Sequence, residues 1–192
     1  MLSKDQAHQS KVLQTLQVIS GSKIFWITAF AILTALAAQV AIPVKPIPFT
    51  LQTLLVLLSG AILGARNGAY SQFLYLFMGI IGLPVFAQIP DAPLGLSRIF
   101  GPTGGYLLAF PIAAYLVGFL IEKRKNYWSI VASMFIGELT IVLFGVLHLT
   151  AFYTQNLDEA LKVGAAIFSI WMVVKVFIAA SIYLGISGFK KK

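Results

Sequence analysis

The chain has 192 residues, 59% of them hydrophobic and only 10% charged, with a mean hydropathy of +0.90. A soluble domain carries about 25% charged residues, so an ordinary soluble fold is excluded and a small helical bundle in a membrane is indicated. The chain has no cysteine, which removes disulfides, thiolate catalysis and cysteine metal sites together.

Residues 1–22 are polar and mixed, not a basic start followed by an apolar run, so they read as a cytoplasmic N-terminal segment and not as a cleavable signal peptide. The membrane domain is expected over 23–188, with a basic cytoplasmic tail at 189–192. Within it the apolar runs predict six transmembrane helices at about Ile24–Ile42, Thr50–Gly64, Gly68–Gly82, Pro102–Ile121, Trp128–Phe152 and Val163–Gly185. The second and third are short and separated only by Ala65, Arg66 and Asn67. One long span there would bury Arg66 and Asn67 at its centre, so a tight helical hairpin is the better reading. Ile42 to Pro48 carries three prolines and should cross the interface extended. Leu83 to Gly101 mixes Pro84, Pro90 and Pro93 with Phe86, Leu94, Leu96 and Phe100, and a long apolar loop of this kind reads as a cap over a cavity.

Six spans put both termini on one side. That side holds Lys4, Lys11, Lys23, Arg66, Lys123, Arg124, Lys125 and Lys190 to Lys192, while the other holds only Lys45, Arg98 and Lys162. The bias makes both termini cytoplasmic. The formal net charge of +8 is thus a topology signal with some attraction to anionic membrane lipid, and no nucleic-acid partner is expected.

Catalytic patterns are poor. There is no His-Glu-x-x-His, no Gly-x-Ser-x-Gly and no phosphate-binding Gly-Lys-Ser loop. Glu138 and His148 are the only pair that an intramembrane enzyme could use, and they lack an obvious third partner, so the chain reads as no enzyme, without cofactor or metal. Two charges lie deep in apolar stretches, Glu138 and Lys175, where each costs roughly 2.5–3.5 kcal/mol at mid-bilayer. Lys175 falls about 12 residues into the sixth run, or roughly 18 Å of helix. Two readings stand side by side: a structural ion pair with Glu138, or an ammonium offered to a solute between helices. Trp171, one turn away, reads as core filling. Small residues at four-residue spacing (Gly60, Gly64 and Gly68; Ala31 and Ala35; Ala109 and Ala113) read as close helix packing, or as a stripe facing a partner protein.

Several blocks together resemble the BioY family, the biotin-specific substrate-capture (S) component of energy-coupling-factor (ECF) transporters. They are Ile47-Pro48-Phe49-Thr50-Leu51-Gln52-Thr53, Leu63-Gly64-Ala65-Arg66-Asn67-Gly68-Ala69-Tyr70, Gly82-Leu83-Pro84-Val85-Phe86, Gly101-Pro102-Thr103-Gly104-Gly105-Tyr106-Leu107, then Gly137-Glu138-Leu139 and Lys175. The resemblance spans about Ile24 to Gly188. It implies an all-α S-component-like bundle of six helices in the bacterial plasma membrane. Such a protein captures biotin at the outer face for import, beside a transmembrane coupling protein and two ATP-hydrolysing subunits. It implies that Lys175 lines the biotin site, with Tyr106, Phe86 and Gln52 near it, and that Ala31 and Ala35 face the coupling protein on the outside of the bundle. One departure stands out: the family's Pro-Gly-Asp-x-x-Lys reads here Ile170-Trp171-Met172-Val173-Val174-Lys175, and Met172 offers no useful acceptor for a ureido N–H. Asp91 or Gln88 of the loop is the candidate replacement, and the alternative is a different ligand, another vitamin or a biotin precursor.

Overall fold

The computed structural model describes residues 21–42, 47–88, 93–124, 126–164 and 169–189. Seven α-helices carry the fold: α1 Lys23–Gln39, α2 Gln52–Leu63, α3 Ala65–Ile80, α4 Gly104–Lys123, α5 Tyr127–Leu149, α6 Leu157–Gly164 and α7 Ser169–Phe189. Each of the six predicted runs contains a helix. Among the described residues three helices are, by length and composition, sufficient to cross a membrane: α4, α5 with its extension to Thr154, and α7, while α1 and α2 are shorter apolar helices. One detail differs from the sequence reading. A short antiparallel ribbon joins β1 Ala41–Ile42 to β2 Phe49–Thr50, with Ala41 opposite Thr50, and most of the proline-rich turn between them lies outside the described residues. In the sixth run the described residues form α6 up to Gly164 and α7 from Ser169, and Lys175 lies in α7.

The turn between α2 and α3 is a single glycine. Gly64 adopts φ +80°, a conformation that costs a side chain dearly, and the Glu122 carboxylate of α4 accepts the Ala65 N–H at 3.0 Å. On either side the backbones nearly touch. A Cβ on Gly68 would lie 2.7 Å from the Gly60 Cα, one on Gly60 2.2 Å from the Ala114 carbonyl, and one on Gly118 2.3 Å from the Ala65 nitrogen. The glycine stripe is thus the crossing of α2, α3 and α4, the close-packing reading. These approaches also fix directions: α3 runs antiparallel to α2, and α4 runs parallel to it. α5 returns antiparallel to α4, since Gly105 faces His148 while Gly137 faces Val117.

Ala31 and Ala35 do not face outward. Ala31 is fully buried, and Ala35 packs on the same core cluster as Tyr75, Leu76 and Ala113. The exposed side of α1 carries Ile32, Leu33 and Leu36 instead. Spacing of small residues marks a close approach, and here the approach is to the bundle's own interior. Mid-bundle, the buried Gln72 amide of α3 donates to Thr34 of α1 (3.3 Å) and Ser59 of α2 (3.1 Å), a polar clasp of the kind that holds apolar helices together.

Two core layers result. Leu57, Val117, Ile130, Met134 and Val176 fill the end bearing the Gly64 hairpin. Tyr75, Phe86, Tyr106, Phe110 and Ile141 fill the other, under the loop that follows α3.

Candidate ligand-binding site

The loop end holds a small, tight cavity, with about 40 Å³ open to the centre of a water molecule. Its walls combine apolar surface from Phe86, Leu107, Phe110 and Ile141 with polar groups of Gln52, Thr53, Arg98 and Thr103. Two of its aromatic walls are seated on glycines. The Phe86 ring lies where a Cβ on Gly79 would sit, 2.0 Å away, and the Tyr106 ring lies 2.2 Å from a Cβ on Gly145. Tyr106 also donates its hydroxyl to the Gly164 carbonyl at 3.1 Å, tying α4 to the end of α6. Tyr75 meets Phe86 edge-on at 5.6 Å and stacks near Phe110 at 6.2 Å between centroids.

The cap over the cavity is held by side chains. Gln39 of α1 reaches the carbonyls of Pro84 and Phe86 at 3.4 and 3.3 Å, the Tyr75 hydroxyl donates to Val85 at 3.3 Å, and Arg98 donates to Ala87 at 2.6 Å. Four consecutive carbonyls are thereby satisfied by the bundle beneath them. Gln52 joins the same network by donating to the Tyr75 hydroxyl and accepting from Thr50 at 3.0 Å. At the far edge of the loop, the His148 ring nitrogen lies 3.0 Å from the Gly101 carbonyl.

The sequence reading treats Arg98 only as a topology charge. The structure buries it to 4% exposure in the cavity wall, on a 3₁₀ turn at Gly95–Arg98, and its Nε has no partner among the described residues. Burial draws the guanidinium below its ordinary range, partly offset by the nearby Tyr75 hydroxyl, yet an arginine remains charged at neutral pH. A lone cation in an apolar, proline-rich loop was the available signal.

Lys175 forms the ion pair that was one of its two readings. Its ammonium lies 3.0 Å from Glu138 Oε1 and donates to the Thr53 hydroxyl, which in turn donates to the same carboxylate oxygen at 2.9 Å. Lys175 also lines a second, roomier hollow of about 200 Å³ on the same measure, with Val40, Ile42, Phe49, Leu51 and Trp171. The two hollows share Thr50, and Thr53 in the wall of the first bonds directly to Lys175 in the wall of the second. Trp171 is half exposed in that second wall, so it is not core filling. Glu138 and His148 are committed to different partners, and ten residues of helix, roughly 15 Å, separate them.

Of the residues nominated from sequence, the structure brings Phe86, Tyr106 and Gln52 together around the first cavity and places Lys175 one hydrogen bond behind it. Gln88 is exposed and outside both linings, because the loop turns its Ala87 side inward. Asp91 lies outside the described residues. Met172 is partly buried against the core, so the position expected to carry an acceptor is apolar.

The overall fold is a bundle of apolar helices with a capped cavity at one end. It superposes on a crystal structure of the S-component for biotin from an ECF-type ABC transporter with a TM-score of 0.79, covering 98% of this chain and 95% of that one, at 20% identity. Residues 9–191 match the BioY family, and the chain belongs to that family. The biotin transporter BioY of Thermotoga maritima is 37% identical over 155 residues, 81% of this chain and 89% of that protein. BioY2 of Lactococcus lactis, also a biotin transporter, is 34% identical over 162 residues, 82% and 87% of the two.

Proposed function

We propose that this chain is a transporter subunit, not an enzyme, that captures biotin from outside the cell for import. The observation that carries the reading is the balance of buried charge around an apolar cavity. Among the described residues, three charged side chains are buried: Arg98, Glu138 and Lys175. Glu138 and Lys175 neutralise each other, leaving the Arg98 guanidinium as a net single positive charge. Biotin is a monoanion with an apolar fused ring and tail, and it would leave the site neutral. The guanidinium suits its carboxylate, while Phe86, Tyr106 and Phe110 suit the ring system. The names of the curated relatives point the same way.

The proposed setting is a bacterial plasma membrane, crossed six times with both termini in the cytoplasm. The basic bias supports this, as do the alternating directions of α2, α3, α4 and α5. The segment 1–22, the membrane domain 23–188 and the tail 189–192 divide the chain accordingly. The chain carries no nucleotide-binding motif, so accumulation needs a partner or an ion gradient; the partners proposed are a transmembrane coupling protein and two ATP-hydrolysing subunits.

Radiolabelled biotin binding to the purified protein tests the proposal. Saturable binding, competed by unlabelled biotin but not by thiamine, riboflavin or folate, is expected. Competition by one of those vitamins and none by biotin would reassign the ligand.

A further inference from the structure

We infer that Thr53 accepts a hydrogen bond from a ureido N–H of the ligand, and that Glu138 is the positioning residue that makes Thr53 an acceptor. The inference rests on the biotin reading above. A threonine hydroxyl has one proton and two lone pairs. The Lys175 ammonium can only donate, and it occupies one lone pair of Thr53 Oγ1. The Glu138 carboxylate, held against that ammonium at 3.0 Å, takes the proton at 2.9 Å. Only the second lone pair is left for the cavity that Thr53 lines, so Thr53 can accept from a ligand there but cannot donate to it.

The other polar walls are less sharply set. Arg98 only donates. Gln52 donates to Tyr75 and accepts from Thr50, and the Tyr106 hydroxyl donates to Gly164; both oxygens keep a lone pair, but neither is held between two charged groups. Thr103 Oγ1 is buried without a partner among the described residues and can turn to either role, so it does not discriminate between donors and acceptors. Thr53 does, because two charged neighbours fix its proton. A cyclic urea presents two N–H donors, and one of them matches this acceptor. Met172 packs against the core and offers no acceptor, whereas α2 carries Thr53 in its first turn.

The test pairs a change in the ligand with a change in the protein. Affinities for biotin and for the two derivatives singly N-methylated on the ureido ring are measured on wild type, Thr53→Val, Thr53→Ser and Glu138→Gln. Wild type should bind one N-methyl derivative at least tenfold more weakly than biotin. Thr53→Val should lose about tenfold for biotin yet bind that derivative no more weakly than wild type does, and Thr53→Ser should restore the preference. Glu138→Gln can turn an amide N–H toward Thr53 and free its proton, so the preference should shrink, whereas a merely structural role would lower both affinities and keep their ratio. Wild type that ignores both methylations, or a Thr53→Val protein that keeps the full preference, overturns the inference while biotin binding stands. Wild type that binds no biotin overturns the biotin reading and this inference with it.

Discussion

Lys175→Met separates the two things a buried ammonium can do here. The substitution keeps most of the side-chain volume but leaves the fully buried Glu138 carboxylate with Thr53 as its remaining partner. Breaking a buried pair by removing one member costs about 3–5 kcal/mol. For a chain of 150–250 residues this corresponds to a fall of about 6–20 °C in melting temperature, at about 2–4 °C per kcal/mol. Adding Glu138→Gln removes the stranded charge, so the double variant should melt within a few degrees of wild type. Biotin affinity, measured on the same variants, isolates the second role. An ammonium that also meets ligand contributes a charge-assisted bond, and its loss costs about 2–5 kcal/mol, an affinity drop of about 30-fold or more. Thermal stability is read by size-exclusion chromatography after heating, and affinity by biotin titration. An unchanged melting temperature in Lys175→Met would refute the ion pair as a stabilising contact. Wild-type affinity in the stable double variant would refute ligand contact and leave Lys175 purely structural.

Arg98→Met should weaken biotin by about 30-fold or more while leaving biotinamide, which lacks the carboxylate, nearly unaffected. Equal losses for both ligands would move the carboxylate elsewhere. Gly105→Ala should lower the melting temperature, because its Cβ would lie 2.5 Å from the Phe144 carbonyl and 2.3 Å from the His148 Cβ, and overpacking of this kind costs about 1–3 kcal/mol. Gly185→Ala in α7 meets nothing within 4 Å and should be neutral or slightly stabilising, which makes it the control. A reporter fused after Lys192 should behave as cytoplasmic, and an extracellular signal would overturn both the span count and the orientation.

What could be read in advance was what one dimension contains. Apolar runs located the helices, and the glycine spacing at Gly60, Gly64 and Gly68 identified a close crossing. The pairing of Lys175 with Glu138 was one of two readings that two charges in apolar surroundings left open, and the structure shows it. What could not be read was which neighbour each feature meets. The same spacing logic placed Ala31 and Ala35 on the outside, since nothing along the chain tells an inward stripe from an outward one. Arg98 was counted by its side of the membrane, and only the fold shows its turn aiming it into the cavity. Gln72 gave no signal at all, because its partners Thr34 and Ser59 come from two other helices.

The two ends of the bundle are built on opposite rules, and the site follows from the difference. Around Gly64 the helices touch backbone to backbone, and Leu57, Val117, Ile130 and Met134 fill the space beside the crossing. At the loop end the crossing is filled by rings, Tyr75, Phe86, Tyr106 and Phe110, and rings hold backbones far enough apart to leave a hollow between them. Polar groups survive in that hollow only where each has a partner, which is why Gln52, Thr53 and Tyr75 are chained to one another, to the ion pair or to the cap. Among the described residues, the unmatched groups in its wall are the Arg98 Nε and Thr103 Oγ1. Unpaired buried polar atoms cost about 1–3 kcal/mol each, and a ligand that satisfies some of them recovers that cost on binding. The rigid end therefore supplies stability and the ring-filled end supplies affinity. The polar members of the site are already in place, so binding requires little reordering of the residues that do it.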